Sequence, residues 1–221
     1  MSFFADEEPP EPPPIVEYRP PPWSGVPENV LPASVALDVV LVRTDRVGVA
    51  ICGARAYPDG VAFAVQILRQ EPPDPRDRFR APFHFHGPRE RGDLRLGVGF
   101  ADGRRAVLGE GHRVFDRGQA PDIVVVEAGG GGGMRHWHGR CWLWPLPPEG
   151  PLTFACAWTD EGVEETSVVV DAAPIRAAAA RAIELWPDDR PDPPRRDPDD
   201  PGWSSYAVSG RARLAGASPT R

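Results

Sequence analysis

Proline placement limits what this chain can fold into more than any other feature. The sequence holds 29 prolines in 221 residues, crowded at its two ends. The first end reads Asp6-Glu-Glu-Pro-Pro-Glu-Pro-Pro-Pro14 and then Arg19-Pro-Pro-Pro22. Proline removes a backbone donor and favours extended polyproline conformation. Acid and proline together bury too little apolar surface to offset chain entropy. Residues 1–31 therefore read as a disordered acidic tail, with Ile15, Val16, Tyr18 and Trp23 able to dock on a neighbouring domain. Residues 187–221 repeat Pro, Asp and Arg and read as a second disordered tail. The foldable part is then residues 32–186, long enough for one well-buried core.

Charge follows the same division. Six acids against Arg19 give residues 1–31 a charge of −5. The last tail balances six Asp with six Arg, so the core keeps −2 of the chain's −7. A nearly neutral core lacks the basic field that drives non-specific nucleic-acid binding and the polybasic segment that seeks anionic lipid. All 25 basic residues are arginine, and Ala, Gly, Pro, Arg, Asp and Val dominate. That is the bias of GC-rich codons, so arginine richness is not by itself a sign of phosphate binding. Three sparse cysteines, Cys52, Cys141 and Cys156, suggest reduced thiols. The opening Met1-Ser2-Phe3-Phe4 has no basic or apolar leader region, and no apolar run nears the roughly 20 residues of a membrane span. A bacterial cytoplasmic protein is expected.

Between the tails the pattern is that of strands. Residues 34–43, 47–57 and 61–69 are rich in Val, Ile and small residues. Pro58-Asp59-Gly60 separates the last two as a three-residue hairpin loop with Gly60 left-handed, which sets Ile51 opposite Ile67. Leu94, Leu96, Val98 and Phe100 alternate on one face. Residues 104–108, after a turn at Asp102-Gly103, and residues 123–127, 135–144, 152–158 and 164–170 complete the set, with Gly129 to Gly133 as a mobile loop. A short connection makes 135–144 and 152–158 neighbours, with Cys141 near Cys156 as buried thiols. A helix over 172–186 follows, capped by Asp171, with Pro174 in its first turn and Ile175, Ala179, Ala182, Ile183 and Trp186 as its apolar stripe. These features predict an all-β antiparallel sandwich, immunoglobulin-like in architecture, with one C-terminal α-helix.

Two patterns carry candidate chemistry. His84-Phe-His86 and His136-Trp-His138 hold four of the five histidines. Residues two apart on a strand share a face, so each motif presents two imidazoles together. If the strands were neighbours, His84, His86, His136 and His138 would hold a metal, with Glu110, His112 or Asp116 completing the shell, as in a cupin-like enzyme. Otherwise the four are plain exposed polar residues. The second pattern is the face formed by His136, His138, Arg140, Trp142 and Trp144, since Trp and Arg are enriched at binding hot spots. Either this face meets a partner, or the terminal helix or the N-terminal tail covers it. Arginines from Arg76 to Arg91 interleave with Phe79, Phe83 and Phe85, as a single-strand binder would, but nearby acids dilute them.

Absences narrow the field. With no lysine, Schiff-base chemistry and lysine-assisted phosphate binding are excluded. There is no Gly-x-Ser-x-Gly elbow, Cys-x-x-Cys, His-Glu-x-x-His or dinucleotide fingerprint. The glycine run ends in Met134-Arg135, not in a phosphate-loop lysine.

The stretch from Gly129-Gly-Gly-Gly-Gly through Trp142-Leu-Trp-Pro-Leu-Pro-Pro148, with Ala155-Cys-Ala-Trp158, the Ala-rich segment ending in Trp186, and Leu96-Gly-Val-Gly-Phe-Ala-Asp-Gly103, resembles an uncharacterised protein family of GC-rich bacteria with no assigned function. The resemblance spans most of the core and implies no catalytic residues. Its pattern does not include the two histidines before Trp142. The expected function is a non-enzymatic binding or scaffolding module with a protein partner, no cofactor and no membrane or nucleic-acid role. The alternatives are the cupin-like metalloenzyme and a small-ligand or single-stranded nucleic-acid binder. The sequence fixes no oligomeric state.

Overall fold

The computed structural model describes residues 15–72, 93–110 and 120–193, and the backbone of 211–213. Its strands are β1 (Ile15–Glu17), β2 (Val30–Leu31), β3 (Ala33–Arg43), β4 (Val47–Ala56), β5 (Val61–Arg69), β6 (Arg95–Gly99), β7 (Arg105–Val107), β8 (Val124–Gly132), β9 (His136–Trp144), β10 (Pro151–Trp158), β11 (Val163–Asp171), β12 (Ile183–Glu184) and β13 (Arg211–Arg213). A 3-10 turn spans Thr159–Glu161, and one α-helix among the described residues, α1, spans Ala173–Ala179.

The chain forms two compact units. Pro21–Asp188 is an antiparallel β domain that carries α1. One sheet runs β3-β4-β5-β9-β8, a second runs β11-β10-β6-β7, and β2 pairs with β12. Alternation builds both large sheets. Val35, Leu37, Val39 and Leu41 of β3, and Val61, Phe63, Val65 and Ile67 of β5, are buried, while the residues between them are not. Leu94, Leu96, Val98 and Phe100 supply the second sheet, with Leu152, Phe154, Cys156 and Trp158 beside them. These inner faces meet in one apolar core, where Phe63 and Phe154 stack edge to face at 5.4 Å. Each such aromatic contributes heavily to the burial that stabilises the fold. Helix α1 adds Ile175, Ala178 and Ala179 to that core.

Four local expectations are revised. Tyr57 N–H donates to the Gly60 carbonyl at 2.9 Å, so Pro58 and Asp59 alone form the corners of the turn. The register beside it pairs Ala54 with Phe63, and Ile51 meets Val65 rather than Ile67. A bulge at Cys52–Gly53, with Gly53 at φ 74°, restores the inward phase of Ile51. Strands β9 and β10 belong to different sheets, so Cys141 and Cys156 are not hairpin neighbours. Their connection, residues 145–150, is short and proline-rich, but it crosses from one sheet to the other instead of closing a hairpin.

The glycine run is strand. Residues Gly129 to Gly132 lie in β8, and Gly130 pairs with Gly139 of β9. A Cβ at Gly139 would fall 2.0 Å from the Trp137 ring, and one at Gly130 would fall 2.8 Å from it. The glycines are therefore the bed on which Trp137 lies. Gly139→Ala is expected to cost about 1–3 kcal/mol, the range for overpacking. Gly131→Ala, which meets nothing within 4 Å, should change stability by no more than about 0.5 kcal/mol. Urea denaturation of the pair checks this, and equal midpoints would refute it.

The fourth revision concerns both ends of the domain. The helix expected over 172–186 is seven residues long. Its N-cap is Ala172 rather than Asp171; the Asp171 carboxylate, one residue earlier, still accepts from Ala173 N–H at 2.9 Å, and Pro174 sits in the first turn. After Ala180 the bonds tighten, with Arg181 and Ala182 donating to Ala178 and Ala179. Ile183 and Glu184 then pair with Leu31 and Val30. Backbone pairing with β2 replaces the last turns of helix, and Ile183 and Trp186 stay exposed. Conversely, residues 21–31 belong to the domain instead of to a tail.

The other unit, Met1–Pro20 with Asp189–Arg221, contains the pair β1–β13. Within it Arg19 N–H donates to the Pro191 carbonyl at 2.8 Å. Most of both expected tails lies outside the described residues.

Candidate functional site

The face read on β9 is divided in two. His136, His138 and Arg140 are exposed on the outer side of the five-stranded sheet. Trp142, on the same side, is completely buried. Its indole N–H donates to the Pro22 carbonyl at 3.0 Å, and Tyr57 meets its ring edge-on at 5.4 Å. Trp144 lies 5.9 Å from Trp23. The N-terminal segment thus covers the tryptophan half of the face, and only the His/Arg half is open. Trp142 and Trp144 act as the seat of Pro22 and Trp23.

His136 and His138 stack with ring centroids 5.6 Å apart and planes 22° from parallel. His84, His86, His112 and Asp116 lie outside the described residues, so the expected four-histidine site is only half visible. Among the described residues no group of three or more His, Cys, Asp or Glu could hold a metal. Glu110 is exposed.

The thiols are poor nucleophiles. Burial, helped by the nearby Glu127 carboxylate, drives the Cys141 thiol far above its ordinary range. Burial pushes Cys156 up to about 12. Burial and Asp38 raise Cys52 as well. Since the thiolate is the reactive species, none is poised for nucleophilic or redox work near neutral pH.

A second feature went unread in the sequence. The outer face of the four-stranded sheet holds a half-open concavity of about 450 Å³. Its floor is Gly97 and Gly99 of β6 beside Ala155 and Thr153 of β10, paired across the strands. The rims carry larger residues: Arg105 on β7, opposite Gly99, and Ser167 on β11, opposite Ala155. Arg95 and Glu165 also line it. Neither Arg95 nor Arg105 has an ion-pair partner among the described residues. With strands about 4.8 Å apart, two small central strands between tall outer ones make a trough one side-chain layer deep. The signal was present in Leu96-Gly-Val-Gly and Phe154-Ala-Cys-Ala, where large residues face the core and the smallest face out.

No described helix is long and apolar enough to cross a membrane. No family model, curated protein or solved structure matches this chain.

Proposed function

We propose that the domain is a non-enzymatic binding module and that the trough over β6 and β10 receives a segment of a protein partner. The trough itself carries this reading: it is a concavity floored by glycine and alanine, with Arg95 and Arg105 on its rim and no ion-pair partner for either among the described residues. Its volume lies in the ligand-pocket range of about 300–1,000 Å³, but enclosed pockets bury most of a small ligand. A half-open trough instead suits a segment that keeps one side attached to a larger body. Arg95 and Arg105 favour acidic side chains in that segment, through charge-assisted bonds of the kind arginine makes to carboxylates. The inert thiols and the absence of lysine support binding over catalysis. Within this reading the two-layer sandwich is immunoglobulin-like in architecture, and the chain is a cytoplasmic protein of a GC-rich bacterium.

A photo-crosslinking residue placed at Thr153 tests the assignment in cells. One discrete protein adduct should form, and it should be lost when Ala155→Phe fills the trough. The same probe at Ala64, on the outer face of the other sheet, should not give that adduct. An adduct that survives Ala155→Phe, or no adduct at Thr153, counts against the trough.

A further inference from the structure

We propose that His136 and His138 form a two-imidazole chelate for a divalent transition-metal ion, tightest for copper(II), on the open half of the β9 face. This site is separate from the trough and does not depend on it. Both rings are exposed and nearly parallel, with centroids 5.6 Å apart. Two nitrogens bound to one ion lie about 3–4 Å apart, given metal–nitrogen bonds near 2.0–2.1 Å. The rings reach that spacing by turning about χ2, which is soft in histidine. The strand holds both side chains on one side, so little ordering entropy opposes chelation.

The surroundings leave room for the ion. On the β8 side the residue opposite His138 is Gly131, which has nothing within 4 Å of a built Cβ. On the β5 side the residue opposite His138 is Gln66. Directly paired residues share a face, so its amide oxygen is the nearest-placed further donor on that strand. Water would complete the shell. Two imidazoles with oxygen donors make a mixed nitrogen and oxygen set, which suits tetragonal copper(II) or nickel(II), and copper stands highest in the divalent affinity order. A structural zinc site would need four protein ligands in a closed tetrahedron, which these residues do not supply.

The test uses the untagged full chain and copper(II) chloride alone. At one equivalent, electron paramagnetic resonance should show superhyperfine coupling to two equatorial nitrogens. His136→Ala and His138→Ala should each reduce this to one nitrogen and weaken calorimetric affinity by about tenfold or more. His84→Ala/His86→Ala/His112→Ala removes every other histidine and should leave the signal unchanged. The proposal is overturned if the two-nitrogen signal follows that triple variant, if it survives His138→Ala, or if equimolar copper does not bind. The Ala155→Phe variant should bind copper as the parent does, so failure of the trough and failure of the chelate are read separately.

Discussion

Trp142→Ala is expected to destabilise the domain by about 3–5 kcal/mol, the range for removing a buried large aromatic. Trp142 has no exposed surface and loses three things at once. It loses the edge contact with Tyr57, the packing over Gly60 and its indole bond to Pro22. The Gly60 contact is close enough that a Cβ there would fall 2.4 Å from the ring. The Pro22 carbonyl would also lose its donor. Were Trp142 an exposed docking residue, truncation would change stability by no more than about 0.5 kcal/mol. Urea unfolding at fixed pH separates the two cases. Deletion of residues 1–31 should destabilise in the same sense, and in that background Trp142→Ala should cost much less, since residues in contact are not additive. Full additivity would mean that the N-terminal segment does not seat on Trp142.

This interplay explains how the sequence misled at the domain boundary. Arg19-Pro-Pro-Pro22 reads as unfoldable because proline cannot donate to a ladder. Proline does keep its carbonyl, and an indole N–H needs only an acceptor. Pro21 and Pro22 use theirs, accepting from Ser24 and from Trp142. The segment docks without regular structure of its own, which composition alone does not reveal. The run Gly129 to Gly133 misled for a related reason. Glycine is read as flexible, yet here it serves the large ring opposite. The cross-strand pairing of Gly130 with Gly139, next to Trp137, was the missing information.

What alternation governs was legible. The inward sets of β3, β5 and β6 follow period two, and burial of one face specifies them. The start of α1 was legible to within a residue from Asp171 and Pro174, because the contacts that open a helix are local. Its end was not, since the alternative to another helical turn was a strand partner more than 150 residues away in sequence. The trough stayed hidden because it is a property of two strands side by side. Gly97 means little until Ala155 is its neighbour.

The second large effect is expected at the end of the sandwich where Arg69 leaves β5. Glu161 sits in the turn after β10, with its side chain only 8% exposed. It receives the Arg69 guanidinium, and Arg46 approaches its other oxygen at 3.2 Å. Arg69 also lies 4.6 Å above the ring of Trp158. Residues from the five-stranded sheet thus clamp a turn that belongs to the other sheet, and one arginine also roofs a core aromatic. Removing one partner of a buried pair costs about 3–5 kcal/mol, because the remaining charge is left uncompensated. Arg46 and Arg69 retain 67% and 22% exposure and can rehydrate in part, which places Glu161→Ala nearer about 2–3 kcal/mol. Glu161→Gln keeps the shape and one acceptor and should lose less. A sheltered pair is screened far less than an exposed one, so most of the loss should persist in molar salt. Should Glu161→Ala unfold at the parental urea midpoint, or lose its defect on adding salt, the pair would contribute nothing at this end and the sheets would be held there by the apolar core that includes Trp158.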